Sequence, residues 1–98
     1  MALVMIVTRD VADRFRGFLS SVMLEVAPCT YVSPRMSKGV RERVWQVMAD
    51  WHTVEPQGSI VMIFRNLEAT GGVGLAYLGT PTKTLLEVDG MWVARAGG

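Results

Sequence analysis

Residues 13–18, DRFRGF, place Arg14 and Arg16 on either side of Phe15 and follow them with Gly17. Two guanidiniums beside a residue without a side chain can grip a phosphate and let it approach the backbone. The same residues also describe two solvated arginines lying along the edges of an apolar stripe. Asp10 is the second candidate. It follows an apolar run, where its carboxylate can cap a helix or join the Asp10 of a second copy around a divalent metal such as Mg²⁺. Nucleophilic chemistry finds little support. His52 is the only histidine and no Ser or Cys motif accompanies it. GGVG (71–74) lacks the Lys-Ser/Thr of a phosphate loop and reads as a turn. Cys29 is the only cysteine, so no intrachain disulfide forms, and no Cys/His spacing suggests zinc. Trp45, Trp51 and Trp92 suit a core or an interface.

The elements that position these groups follow from periodicity. ALVMIVT (2–8) is a continuous, β-branched apolar run, the pattern of a strand buried on both faces. Asp10 stands where an N-cap belongs, and Val11, Phe15, Phe18, Leu19, Val22 and Met23 recur at helical spacing, which predicts a helix over 11–25 ended by Pro28. With about 100° per residue and Val11 at zero, the apolar stripe centres near 40–50°, Arg14 near 300°, Arg16 near 140° and Gly17 near 240°. The arginines therefore flank the polar face and Gly17 leaves a bare strip between them. CTYVS (29–33) reads as a short strand closed by Pro34. Ser37 caps a helix over 38–51, buried through Val40, Val44, Val47, Met48 and Trp51. SIVMIFR (59–65) and VGLAYLG (73–79) read as strands, Gly74 weakening the second. TLLEV and MWVARA about Asp89-Gly90 form a terminal hairpin.

The order β-α-β-α-β-β plus a hairpin predicts an α+β, ferredoxin-like sandwich with two helices on one face of a mainly antiparallel sheet. That fold needs two strands between its helices, and only one is visible, so residues 29–36 are expected to bend and serve as both. Dimerisation is the economical cover for the second sheet face. The whole chain reads as one domain, with a core over 1–80 and a tail over 81–98 for partner docking.

Half of the 98 residues are hydrophobic and 19% are charged, which excludes a disordered chain. No apolar run reaches the roughly 20 residues of a membrane span, and the N-terminal run lacks the basic flank of a signal peptide. A reduced, cytoplasmic compartment is expected. Net charge is only +1, but residues 9–43 carry seven basic and four acidic side chains, and residues 44–98 three basic and five acidic. A basic half joined to an acidic half suits an anion on one surface and a protein on another.

The stretch VTRDVADRFRGFLSSVMLEVAPCTYV, followed by SKGVRERVW, SIVM and LLEVDG, resembles CRISPR-associated protein 2 of the type I-E subgroup. RxRGxL, LEV, YV and SxxVRExxW fall in order, and the likeness covers approximately residues 3–65 and 82–95. It implies a ferredoxin-like homodimer at the centre of a complex with the CRISPR-associated protein 1 integrase. There it would hold a duplex of captured DNA, the protospacer, while the integrase inserts it as a new spacer. Matched position by position, the family's backbone contacts fall on Arg14 and Arg16, with Gly17 between, and on Lys83. The subgroup pattern has paired arginines where this chain has Thr82-Lys83. Arg9 replaces a frequent glutamate, which weighs against the metal-dependent nuclease known in other branches, while Asp10 keeps that reading open with Mg²⁺ as its cofactor. The family's integrase contact falls on the terminal segment, with Glu68, Glu87 and Asp89 as partner-binding candidates. A hairpin folded back on its own dimer is equally compatible.

Three functions are thus expected to compete. They are a non-catalytic, DNA-holding adapter that requires no cofactor, a metal-dependent endonuclease using Asp10 across a dimer axis, and a ferredoxin-like metabolite-sensing or assembly domain.

Overall fold

The computed structural model describes residues 2–79, 83–88 and 91–96, the last two segments by their backbone. Five strands form one antiparallel sheet: β1 (Ala2–Arg9), β2 (Leu24–Ala27), β3 (Thr30–Met36), β4 (Ser59–Arg65) and β5 (Val73–Leu78), in the order β2-β3-β1-β4-β5. Two helices, α1 (Asp13–Val22) and α2 (Lys38–Val54), connect them. Strands β6 (Lys83–Val88) and β7 (Met91–Ala96) pair as a separate antiparallel hairpin, and β7 approaches the turn Thr70–Gly72. Asp89 and Gly90, expected to form its turn, lie outside the described residues. The α+β, ferredoxin-like expectation holds.

The strand expected to be missing begins inside the residues assigned to the first helix, sharing Leu24 and Glu25 with them. Helix α1 ends at Val22, Met23 is extended (φ −138°, ψ 169°), and Leu24–Ala27 is β2. Helical spacing runs on through Val22, which is exposed, and Met23, which is buried in the core, so periodicity alone overruns the true end. Cys29 supplies the turn into β3 at φ 60°, and its N–H donates to Glu25 Oε2 at 3.2 Å. Residues 29–36 are therefore one strand of a hairpin and not two. Pro34 does not end β3. The register against β1 moves from Val4↔Ser33 to Ala2↔Met36, and the extra residue of that bulge absorbs the proline.

Asp10 does not cap α1. The N-cap is Ala12, which makes no side-chain cap, and Asp10 lies at φ 55° in the corner between β1 and α1. Aspartate tolerates this conformation better than most residues. Ser37 does cap α2, accepting a hydrogen bond from Val40 N–H at 3.2 Å, and α2 runs three residues past its expected end.

The core lies between the helices and one face of the sheet. Val4 and Ile6 of β1, Tyr31 of β3, and Ile60 and Met62 of β4 meet Phe15 and Leu19 of α1 and Val44 and Met48 of α2. Each such side chain contributes about 1.5–3 kcal/mol when fully buried. Gly74 is buried opposite Phe64, where a Cβ would run into the ring, so the glycine that weakens β5 by propensity is what admits the aromatic. The outer sheet face is uncovered: Leu24 is 66% and Tyr77 49% exposed, and Leu3 and Val7 join them.

Gly58 closes the same corner from below. Its φ is +75°, and a Cβ there would collide with the Arg9 and Asp10 carbonyl groups. Gly58→Ala is expected to lower stability by about 3 kcal/mol, read as a fall in the urea midpoint. An unchanged midpoint would contradict this backbone contact.

Candidate nucleic-acid interface

Helix α1 is held by an aromatic cluster. Trp51 of α2 meets Phe15 edge-on, with centroids 5.6 Å apart, and Phe18 at 5.4 Å. Trp51 is thus an interface residue between the helices, as its type suggested. The helix rotation fixed by this contact turns Arg14 toward α2 and Arg16 toward β3.

Arg14 lies over Trp51, its guanidinium carbon 4.9 Å from the ring centroid, and pairs with Glu55 at 3.2 Å. Both members of that ion pair are about two-fifths exposed, at 41% and 44%. The guanidinium is therefore oriented without being withdrawn from water. Arg16 pairs with Asp13 at 3.5 Å and remains half exposed. Its contact with the Tyr31 side chain, followed by the fields of Cys29 and Asp13, raises its pKa above the ordinary arginine value. The contact with Tyr31 is loose, because the phenol oxygen meets no partner at hydrogen-bond geometry. Burial pushes the Tyr31 phenol up, so it stays a neutral donor at neutral pH.

Gly17 is exposed, and a Cβ added to it would meet nothing within 4 Å. Packing does not require glycine here. The bare strip and its two flanking cations are what the helical angles predicted. Gly17→Ala is expected to stabilise the helix by about 0.5–1 kcal/mol, measured as a higher thermal midpoint. Gly17→Glu should instead weaken duplex binding without unfolding the chain. Duplex binding unchanged by the glutamate would contradict close approach at this strip.

The remaining predicted residues are distributed elsewhere. Lys83 and Glu87 lie on β6, known by its backbone, and Asp89 is outside the described residues. Glu68 is exposed in the turn after β4, its N–H donating to Asn66 Oδ1 at 3.1 Å. Asp10 is 82% exposed and 3.9 Å from Arg9 Nε. Among the described residues no group of three or more His, Cys, Asp or Glu converges as metal ligands. A single carboxylate beside a guanidinium does not fit Mg²⁺ within one chain.

Sequence reasoning missed three participants. Glu55 competes for Arg14 from across the helix pair. Thr8 and Tyr31 bring hydroxyls to the Arg16 side, and the only signal for them was their place on buried strands. Because Glu55 occupies Arg14, Glu55→Gln is expected to raise duplex affinity about two- to fivefold at low salt, measured by fluorescence anisotropy. A decrease would show that Glu55 serves only to orient Arg14.

Fold and side chains together define a small ferredoxin-like protein whose first helix presents separated cations on an open surface. A family model described as CRISPR-associated protein (Cas_Cas2CT1978) matches residues 3–93. The chain belongs to this family of CRISPR-associated proteins, the CRISPR-associated protein 2 family that its motifs resemble, and its role is CRISPR-related. Among the described residues no helix is long and apolar enough to cross a membrane.

Proposed function

We propose that this protein is a type I-E-like subunit of the spacer-acquisition machinery, acting in the cytoplasm as a non-catalytic homodimer. It bridges copies of the CRISPR-associated protein 1 integrase and holds the protospacer duplex by its phosphate backbone. The observation that carries this reading is the division of Arg14 and Arg16 between the two edges of α1, with the bare Gly17 strip exposed between them. Such contacts position a duplex without reading its sequence.

Two further features support the assembly. The uncovered apolar sheet face suits a second copy. The terminal hairpin is not hydrogen-bonded into the five-stranded sheet and offers strand edges to a partner, with Glu68, Glu87 and Asp89 as acidic groups for basic integrase side chains. Lys83, at the start of β6, is the remaining backbone contact proposed.

The test is co-purification with the integrase followed by duplex capture. A stable complex that retains duplex DNA, and loses it when Arg14 and Arg16 are neutralised, is expected. Mg²⁺-dependent cleavage by the protein alone, abolished by Asp10→Asn and indifferent to the arginines, would overturn the proposal in favour of a nuclease.

A further inference from the structure

Among the described residues, two buried side-chain polar atoms have no hydrogen-bond partner: Thr8 Oγ1 and Tyr31 Oη. Thr8 is 4% exposed and Tyr31 fully buried. Unsatisfied buried hydroxyls are uncommon and each is a cost to the fold, so two together call for an explanation.

Their positions supply one. Ile6 of β1 pairs with Tyr31 of β3, so Thr8, two residues along β1, faces the same side on the neighbouring strand. Thr8 lines a cleft of about 450 Å³ with Asp10, Val11, Arg16, Cys29 and Gln57. Tyr31 lines an adjacent cleft of about 370 Å³ with Asp13, Arg16, Gly17, Ser20 and Glu25. Arg16 is the side chain common to both. The two residues with orphaned hydroxyls therefore line neighbouring clefts that share one cation, which itself borders the bare Gly17 strip.

We propose that this recess is a phosphate seat, in which Arg16 supplies the charge and the Thr8 and Tyr31 hydroxyls donate to the phosphate oxygens. The inference rests on the backbone-holding reading and deepens it, adding two neutral donors to the surface cations. Arg16 lines both clefts in the free chain, paired with exposed Asp13 and in loose contact with Tyr31. A phosphate that draws the guanidinium outward opens the path to the hydroxyls. Three carboxylates rim the clefts: Asp10, Asp13 and Glu25, the last engaged by the Cys29 N–H. They oppose a free, doubly charged phosphate ion. The ligand is accordingly a singly charged phosphodiester of the duplex, brought in by the other cations of the surface. The arrangement also accounts for hydroxyls that the free fold leaves unsatisfied, since function and stability conflict most often at binding sites.

The test uses Thr8→Val and Tyr31→Phe in the full chain, each removing one hydroxyl while keeping nearly the same shape. Each is expected to weaken duplex binding about three- to tenfold, as loss of one hydrogen bond does. The slope of log affinity against log salt should not change, because no cation is lost. Thermal midpoints should stay level or rise. Arg16→Ala, by contrast, should make that slope shallower by about one per protomer. If both hydroxyl variants bind duplex as the parent does while Arg16→Ala weakens it, the seat is refuted and the backbone-holding reading stands. If Arg16→Ala also binds as the parent does, the backbone-holding reading fails with it. A parallel titration with inorganic phosphate should leave the thermal midpoint unmoved. A saturable, hydroxyl-dependent rise would overturn the phosphodiester assignment in favour of a free phosphate. Thr8→Val alone carries the test should Tyr31→Phe fail to fold.

Discussion

Replacing Arg14 and Arg16 together with alanine is expected to lower duplex affinity about 100-fold or more at moderate salt, with the fold intact. In the proposed dimer the change removes four guanidiniums, each contributing on the order of 1 kcal/mol of phosphate contact at an exposed site. The salt dependence should become shallower by about three to four in log–log slope, since about 0.9 counterion is released per phosphate neutralised. Stability should change little. The ion pairs that Arg14 and Arg16 make with Glu55 and Asp13 are exposed, and such pairs are worth less than about 1 kcal/mol. Loss of affinity with an unchanged slope would mean that the arginines act through folding or dimerisation and not on phosphate.

Phe15→Ala is expected to have the opposite signature. Phe15 is fully buried and packs edge-on against Trp51, and its truncation should cost about 3–5 kcal/mol. A domain of this size has about 5–15 kcal/mol in total, so the variant should be partly unfolded near 37 °C. The same ring fixes α1 against α2 and so sets where Arg14 and Arg16 point. Duplex binding should therefore fall in step with helical circular dichroism, and should recover when the fold is stabilised by cooling or osmolyte. Phe15→Leu, which preserves most of the volume, should cost only about 1.5 kcal/mol and keep most of the binding. A fully folded Phe15→Ala chain that has lost its duplex would refute this division between scaffold and contact.

The two variants separate what the sequence made legible from what it concealed. The α1 stripe was readable because Phe15 and Leu19 lie at helical spacing, and from that stripe the angles of Arg14, Arg16 and Gly17 followed without any tertiary information. The end of α1 was not. Met23 extends the helical spacing although the backbone there has already turned toward β2, a four-residue strand that is exposed throughout and has no periodicity long enough to declare itself. Pro34 misled in the same way, since a proline at a bulge differs from a terminating proline only in the pairing of its neighbours. Asp10 looked like a cap because capping residues and left-handed corner residues come from the same small set of side chains.

The interface shows a similar division. Cations on a helix edge can be placed from one-dimensional spacing, but their partners cannot. Glu55 reaches Arg14 because α1 and α2 pack side by side, with 40 residues of chain between the two, and nothing local marks the pair. Thr8 and Tyr31 sat within apolar strands, where a hydroxyl reads as tolerated. Only the pairing of β1 with β3 beneath α1 brings both to Arg16.

The central claim, that the protein holds duplex DNA by its backbone, is tested most directly by the salt dependence of binding for two duplexes of equal length and unrelated sequence. The measurement is made with the integrase complex between about 50 and 200 mM salt. Equal affinities for the two duplexes and a steep, parallel loss with salt are expected. Affinity that is insensitive to salt, or that differs strongly between the two sequences, would contradict it.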